Sequence, residues 1–321
     1  MALGYYEQAL ILTRHVGDKS GEATTLSSIA AIYIASDMNE KALDYYQSAL
    51  SINRVIGDLS GEVTTLLGIG SAYYHIGKMR KALSFFENAL SISHRIGKVS
   101  SEPAILTNIG AVMRNLGDLP KSLEYYRQSL AIFRRMKNPS GEATTLANIG
   151  RVYSAMNQKK QALSYYVQAL ALFRQAGNRI EQAMTLSSIA SVHEILGNKK
   201  DALHHYEQEL MVEHQIGDGR AEAKTLNSMA LILCQLGKFD EASEKLNTSV
   251  RIAKRIGALP EEAAGRFNLA RVLQKLNRKS EAIAQLKIST ALLTLNRLPK
   301  DAAGQTLVRY QSLLMELRAA Q

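Results

Sequence analysis

The sequence has no tryptophan, one cysteine, five prolines and six phenylalanines in 321 residues, and each scarcity closes off a class of protein. A single thiol, Cys234, cannot form an internal disulfide, so a small stapled scaffold is excluded and a reducing setting is expected. So little proline, without a glycine period, fits neither collagen nor a disordered chain, and the residues present do not read as a β-sandwich. The longest apolar runs, such as Leu231-Ile232-Leu233-Cys234, fall far short of the roughly 18 residues that span a bilayer. The opening Met1-Ala2-Leu3-Gly4-Tyr5 has neither the basic start nor the apolar centre of a signal peptide. A cytoplasmic location without a membrane partner is expected.

What is present is an Ala/Leu/Lys/Glu-rich chain, 46% hydrophobic and 21% charged. The net charge of +10 is spread along the sequence without a basic tail. That balance favours acidic partners. Nucleic acid is not expected, because its binders gather Lys and Arg on one face with aromatics between them.

The dominant feature is a repeat. Gly17-Asp18-Lys19-Ser20-Gly21-Glu22-Ala23-Thr24-Thr25-Leu26 returns as Gly57-Asp58-Leu59-Ser60-Gly61-Glu62-Val63-Thr64-Thr65-Leu66 and again as Asn138-Pro139-Ser140-Gly141-Glu142-Ala143-Thr144-Thr145-Leu146. Landmarks recur every 40 positions, giving seven full units over 17–296. A half unit at 1–16 and a C-terminal capping helix at 297–321 flank them. Each unit carries two apolar stripes at steps of three and four. The first is Leu26, Ile29, Ala30 and Tyr33; the second is Ala42, Tyr46, Ala49, Ile52 and Ile56. Two helices per unit follow. Gly57 and its equivalents end the second helix, Gly77 and its equivalents mark the turn between the pair, and Pro120 suits the first turn of the helix after it. Ser20, Ser60, Ser100 and Ser140 are expected to cap the first helices, with Glu22, Glu62, Glu102 and Glu142 in the electropositive first turn.

Packing follows from two columns of small residues, Ala30, Gly70, Gly110, Gly150 and Ala42, Ala82, Ser122, Ala162, which let helix axes approach. Tyr46, Phe86, Tyr126, Tyr166 and Tyr206 are expected to fill the space between hairpins. No lone hairpin can hide both stripes, so the units must stack as a solenoid.

In the unit at 57–96, the residues Leu66, Ile69-Gly70, Tyr73, Ala82, Phe86 and Ala89 have the spacing of the tetratricopeptide-repeat signature, and the chain resembles that family over essentially its whole length. Its repeats exceed the usual 34 residues by six. In that respect they resemble the long repeats of kinesin light chains, Pins-type polarity adaptors, bacterial Rap-type regulators and bacterial signalling proteins with a separate output domain. The resemblance implies an all-α, right-handed superhelix of about sixteen helices whose first helices line a concave groove.

Chemistry-bearing residues read as structural ones. The seven histidines form no compact metal-ligand pattern, and His193 stands in the column of Tyr33 and Tyr73, as a packed core histidine would. Gly68-Ile69-Gly70 lies inside a helix and reads as packing. Asp201, Glu207, Glu209 and Glu213 read as a solvated acidic face. No catalysis and no cofactor are expected.

By the resemblance, residues between the buried stripes point into the groove. Tyr74, His75, Asn108, Arg114, Asn115, Asn148, Arg151, Asn227, Asn268, Arg271 and Lys275 are the candidate peptide-binding residues. Arg114, Arg151, Arg271 and Lys275 outnumber the single acid Glu194, so an acidic or amphipathic segment is the expected guest. A protein-interaction scaffold is the primary expectation. The alternatives are the sensor region of a larger signalling protein and a structural module that self-associates through the N-terminal half repeat.

Overall fold

A computed structural model describes residues 2–97 and 100–319. The chain folds as two compact units, 1–165 and 166–321. Sixteen α-helices occur among the described residues, with no strand and one isolated antiparallel bridge between Lys300 and Thr306.

The first unit holds α1 (Ala2–His15), α2 (Lys19–Ala35), α3 (Asn39–Ile56), α4 (Leu59–His75), α5 (Met79–Arg95), α6 (Glu102–Asn115), α7 (Leu119–Arg135) and α8 (Pro139–Ala155). Helix α9 (Lys159–Gln175) crosses residue 165. The second unit continues with α10 (Arg179–Ile195), α11 (Lys199–Ile216), α12 (Gly219–Gln235), α13 (Phe239–Arg255), α14 (Leu259–Lys275), α15 (Lys279–Leu295) and α16 (Leu307–Ala319). Each even-numbered helix from α2 to α14 is the first of a hairpin, and its successor is the second.

The turns follow the expected chemistry at one end of each helix and depart from it at the other. Gly77 takes φ of 84° between α4 and α5, a left-handed conformation that costs a residue without Cβ nothing. Where that place holds Asp37, Asn157 or Asn277, the backbone is also left-handed, which short polar side chains tolerate. Pro120 lies in the first turn of α7. The serines do not cap. Asp18 Oδ1 accepts from the Gly21 N–H at 2.9 Å, Asp58 Oδ1 from Gly61 at 2.9 Å, and Asn138 Oδ1 from Gly141 at 3.0 Å. Ser20, Ser60 and Ser140 already lie inside their helices, and the α6 N-cap, Ser101, makes no side-chain cap bond. The Asp or Asn two positions earlier reaches the free third N–H of the helix, which a serine already in the first turn cannot do.

Aromatic rings lie on the small residues. A Cβ on Gly110 would come within 2.9 Å of the Tyr126 ring, and one on Gly70 would collide with Phe86. Both rings are fully buried. Burying such a ring contributes about 2–3 kcal/mol. A second contact recurs at eight-residue separation, from one hairpin's second helix to the next hairpin's first: Arg14 to Glu22 at 2.8 Å, Arg54 to Glu62 at 2.8 Å, Arg134 to Glu142 at 2.7 Å. His94–Glu102 and His214–Glu222 repeat it at 3.2 and 3.4 Å. The Arg14 hydrogen bond, and then that of Lys19, holds Glu22 below the usual carboxylate range. With their basic partners exposed, such pairs contribute at most about 1 kcal/mol each. Each buried ring therefore outweighs any one ion pair, and the ion pairs help orient successive hairpins.

Two expectations change. The capping helix begins only at Leu307; before it, buried Asp301 accepts from the Ala303 N–H at 2.9 Å, the Gln305 N–H at 2.7 Å and the Tyr310 hydroxyl. Tyr310, Leu313 and Leu317 are its buried stripe. The acidic face of α11 is not all solvated: Asp201 and Glu207 are exposed, but Glu209 and Glu213 are 5% and 3% exposed. They occupy the columns of Ala49 and Asn53, which face the neighbouring hairpin. The Thr225 hydroxyl donates to Glu213 Oε1 at 3.1 Å, while Oε2 of both glutamates has no partner among the described residues. Burial, and then the neighbouring carboxylate for Glu209, raises both above the ordinary value of 4.5.

Gly110→Leu should cost about 1–3 kcal/mol by overpacking against Tyr126, measured by urea unfolding; an unchanged midpoint would refute this packing register. For the glutamate pair, the folded state binds protons more tightly than the unfolded chain. Stability is therefore full in acid and lost as pH rises from about 4.5 through neutrality. Glu209→Gln should melt higher than wild type at pH 8, with the gap closing towards pH 4.5. A gap independent of pH would show that the pair is ionised throughout.

Candidate functional site

The first helices of the first unit bring four of the candidate residues together. Tyr74 on α4, Arg114 on α6 and Arg151 on α8 all lie near enough to the hydroxyl of Tyr126 on α7 to act on it electrostatically. Burial pushes Tyr126 up to about 12, Arg114 and Arg151 pull the other way, and Tyr74 adds to the rise. That hydroxyl and Arg114 Nε are both buried without a hydrogen-bond partner among the described residues. Arg151 Nη1 donates to Asn148 Oδ1 at 2.9 Å, and Asn148 is 9% exposed. The close approach of ring and backbone at Gly110 is what admits Tyr126 to the floor of this cluster.

The remaining candidates of this unit are less convergent. The exposed His75 ring stands edge-on to Tyr74 at 5.8 Å, and exposed Asn115 meets Met79 Sδ at 3.9 Å. Asn108 is half-buried on α6, about 9 Å along the axis from Arg114.

In the second unit, Asn268 Nδ2 on α14 donates to Asn227 Oδ1 on α12 at 3.0 Å. Asn268 is buried and, with Arg271 and Lys275, lines a cavity of about 620 Å³ across α12, α14 and α16. Arg309 of α16 is the third cation of this lining, and Glu194 and Glu316 are its acids. Leu231, Phe239 and Leu313 supply apolar wall. Arg271, Lys275 and Arg309 have no carboxylate within ion-pair distance among the described residues. Cys234 belongs to the same lining; burial pushes its thiol up, with Arg271 acting against the rise, so it is held as the un-ionised thiol.

Sequence spacing missed two participants. Arg309 belongs to the cap, outside the forty-residue columns, and the Tyr126 hydroxyl belongs to a residue that reads only as core filling. His193 is half-buried and stacks on His205 at 5.4 Å, 3.8 Å from the Asp201 carboxylate. Among the described residues no three His, Cys, Asp or Glu side chains are placed to hold a metal, and no helix is long and apolar enough to cross a membrane. At the N-terminus, α1 buries no residue, leaving Tyr5, Ile11, Leu12 and Val16 exposed.

No curated protein matches the chain. Solved structures do, at identities that establish the fold. The signal transduction ATPase with a tetratricopeptide-repeat sensor from Pyrococcus horikoshii is 17% identical, with a TM-score of 0.75 over 98% of this chain and 46% of the other. The apo form of RapI is 14% identical, with a TM-score of 0.71 over 85% of this chain and 76% of the other. The apo quorum sensor NprR from B. thuringiensis is 16% identical, with a TM-score of 0.59 over 98% of this chain and 97% of the other. Family models described as tetratricopeptide repeat match residues 65–100, 101–175 and 221–294, together more than half of the sequence. These matches coincide with the stacked forty-residue hairpins, and the chain belongs to the tetratricopeptide-repeat family.

Proposed function

We propose that the chain is a protein-interaction scaffold that acts by binding rather than catalysis, holding an acidic or amphipathic peptide segment against its first helices. The supporting observation is the set of cations without carboxylate partners among the described residues: Arg114 and Arg151 over buried Tyr126 in the first unit, and Arg271, Lys275 and Arg309 beside the apolar wall of Leu231, Phe239 and Leu313 in the second. A guanidinium lacking an acid of its own is ready to receive a carboxylate, and its planar fork orients what it binds. Asn148 and Asn268 enter this reading as positioning groups. Their side chains are committed to Arg151 and Asn227, so they orient the face more than they reach a guest.

A sensor role is the second reading, favoured by the likeness to a sensor-bearing ATPase and to a quorum sensor. The same face would then bind a ligand whose occupancy is passed to an output domain. Self-association through α1 is a separate expectation, supported by its exposed Tyr5, Ile11 and Leu12. A sedimentation coefficient independent of concentration would rule it out.

Arrayed peptides of graded acidity, probed with the wild-type chain and two double variants, test the scaffold reading. Arg114→Glu with Arg151→Glu, and Arg271→Glu with Lys275→Glu, should each cut capture of acidic peptides at least tenfold while leaving helical content and melting unchanged. Retention by both variants would place recognition elsewhere on the molecule.

A further inference from the structure

One column of the repeat changes character in the second unit. The position of Tyr45 is held in turn by Phe85, Tyr125, Tyr165, His205, Lys245 and Gln285. In the first hairpin the Tyr45 ring stacks on Tyr33 at 5.4 Å and packs with Leu10, Leu26 and Ile52 beside Arg14. Phe85 and Tyr165 stack on Tyr73 and Tyr153 at 5.4 and 5.2 Å, and His205 on His193. At Gln285 the place is taken by a polar chain: Arg266 donates to Gln285 Oε1 at 2.6 Å and to Glu262 Oε1 at 2.9 Å.

At Lys245 the place is open. A cavity of about 620 Å³ lies between α11 and α13 over α12, and its lining repeats the Tyr45 surroundings five units on: Leu210 for Leu10, Leu226 for Leu26, Ile252 for Ile52, His214 for Arg14. The apolar walls remain; the ring that covered them is gone. Half-buried Lys245 and the exposed Arg251 and Arg255 are the cations of that lining. None of the three has a carboxylate within ion-pair distance among the described residues; of the two acids in the lining, Glu222 is already paired with His214, and exposed Glu244 is outnumbered by the three cations of its own helix.

We infer that this cavity is a binding site for an aromatic carboxylate, whose ring takes the place the column's ring has vacated and whose anion is received by Lys245, Arg251 and Arg255. Apolar walls of this kind accept aromatic guests without rearrangement; a dry apolar cavity of only about 150 Å³ already binds benzene. A neutral aromatic would leave three cations unserved at the rim, and an aliphatic acid would leave the flat walls uncovered. The site is lined by second helices and by the base of α12. It shares no residue with the first-helix face proposed above, and the two stand or fall separately.

Calorimetric titration with 2-naphthoate, with 2-naphthalenemethanol as the neutral analogue, tests the inference. Wild type should bind 2-naphthoate saturably at one site, at least tenfold more tightly than the alcohol. Lys245→Tyr restores the ring of the other repeats and should weaken naphthoate at least tenfold while raising the melting temperature. Arg251→Glu, an exposed change that leaves the walls intact, should weaken naphthoate without affecting the alcohol. Absence of saturable binding by wild type up to millimolar naphthoate, equal affinity for acid and alcohol, or full affinity in both variants would overturn the assignment.

Discussion

A helix hairpin with an apolar stripe on both helices has more surface to hide than it can cover by itself, and every other feature of this protein follows from that constraint. The first helix's Leu26, Ile29 and Ala30 are buried only because the second helix lies on one side and the neighbouring hairpin on the other. Stability in such an array is a sum over hairpins and their interfaces. Buried aliphatic stripes and rings carry that sum together. The Arg–Glu pairs eight residues apart, worth about 1 kcal/mol at most, fix how successive hairpins meet rather than whether they do.

Because the constraint acts on columns, single departures from a column carry the chemistry. Glycine in the small-residue column admits Tyr126 close to Arg114 and Arg151, joining a fully buried ring to two cations without acid partners among the described residues. Lysine in the aromatic column opens the space between α11 and α13. Glutamates in the columns of Ala49 and Asn53 place two carboxylates where the other repeats hold small or neutral side chains, and desolvation raises both above the ordinary carboxylate range. An array tolerates such departures because each is confined to one interface, and its cost does not spread to the rest.

The arrangement of helices was legible because a step of 40 residues and steps of three and four are properties of the string itself. The clustering of the candidate residues was legible in part. Tyr74, Arg114 and Arg151 do converge, and Arg271 and Lys275 do share a cavity. Asn148 and Asn268 read as open donors, yet each is buried and engaged, Asn148 by Arg151 one turn along its own helix and Asn268 by Asn227 on the neighbouring first helix. Helix starts were misplaced from Asp18 to Ser20 because both residue types cap equally well, and only the register of the first free N–H distinguishes them. Arg309 could not be found by column at all, since the helix that carries it begins at Leu307, after a turn organised by Asp301.

The sequence by itself determined the family, the paired helices, their boundaries to within a few residues and the columns that face inward, since these depend on local periodicity and on residue size. Tertiary structure alone decided which polar groups in those columns are satisfied. Glu209 and Glu207 are two residues apart on one helix, and the string gives both the same character. One meets the neighbouring hairpin and loses its water, while the other keeps it. The difference lies in desolvation, which depends on what packs against a side chain and has no counterpart in a linear sequence.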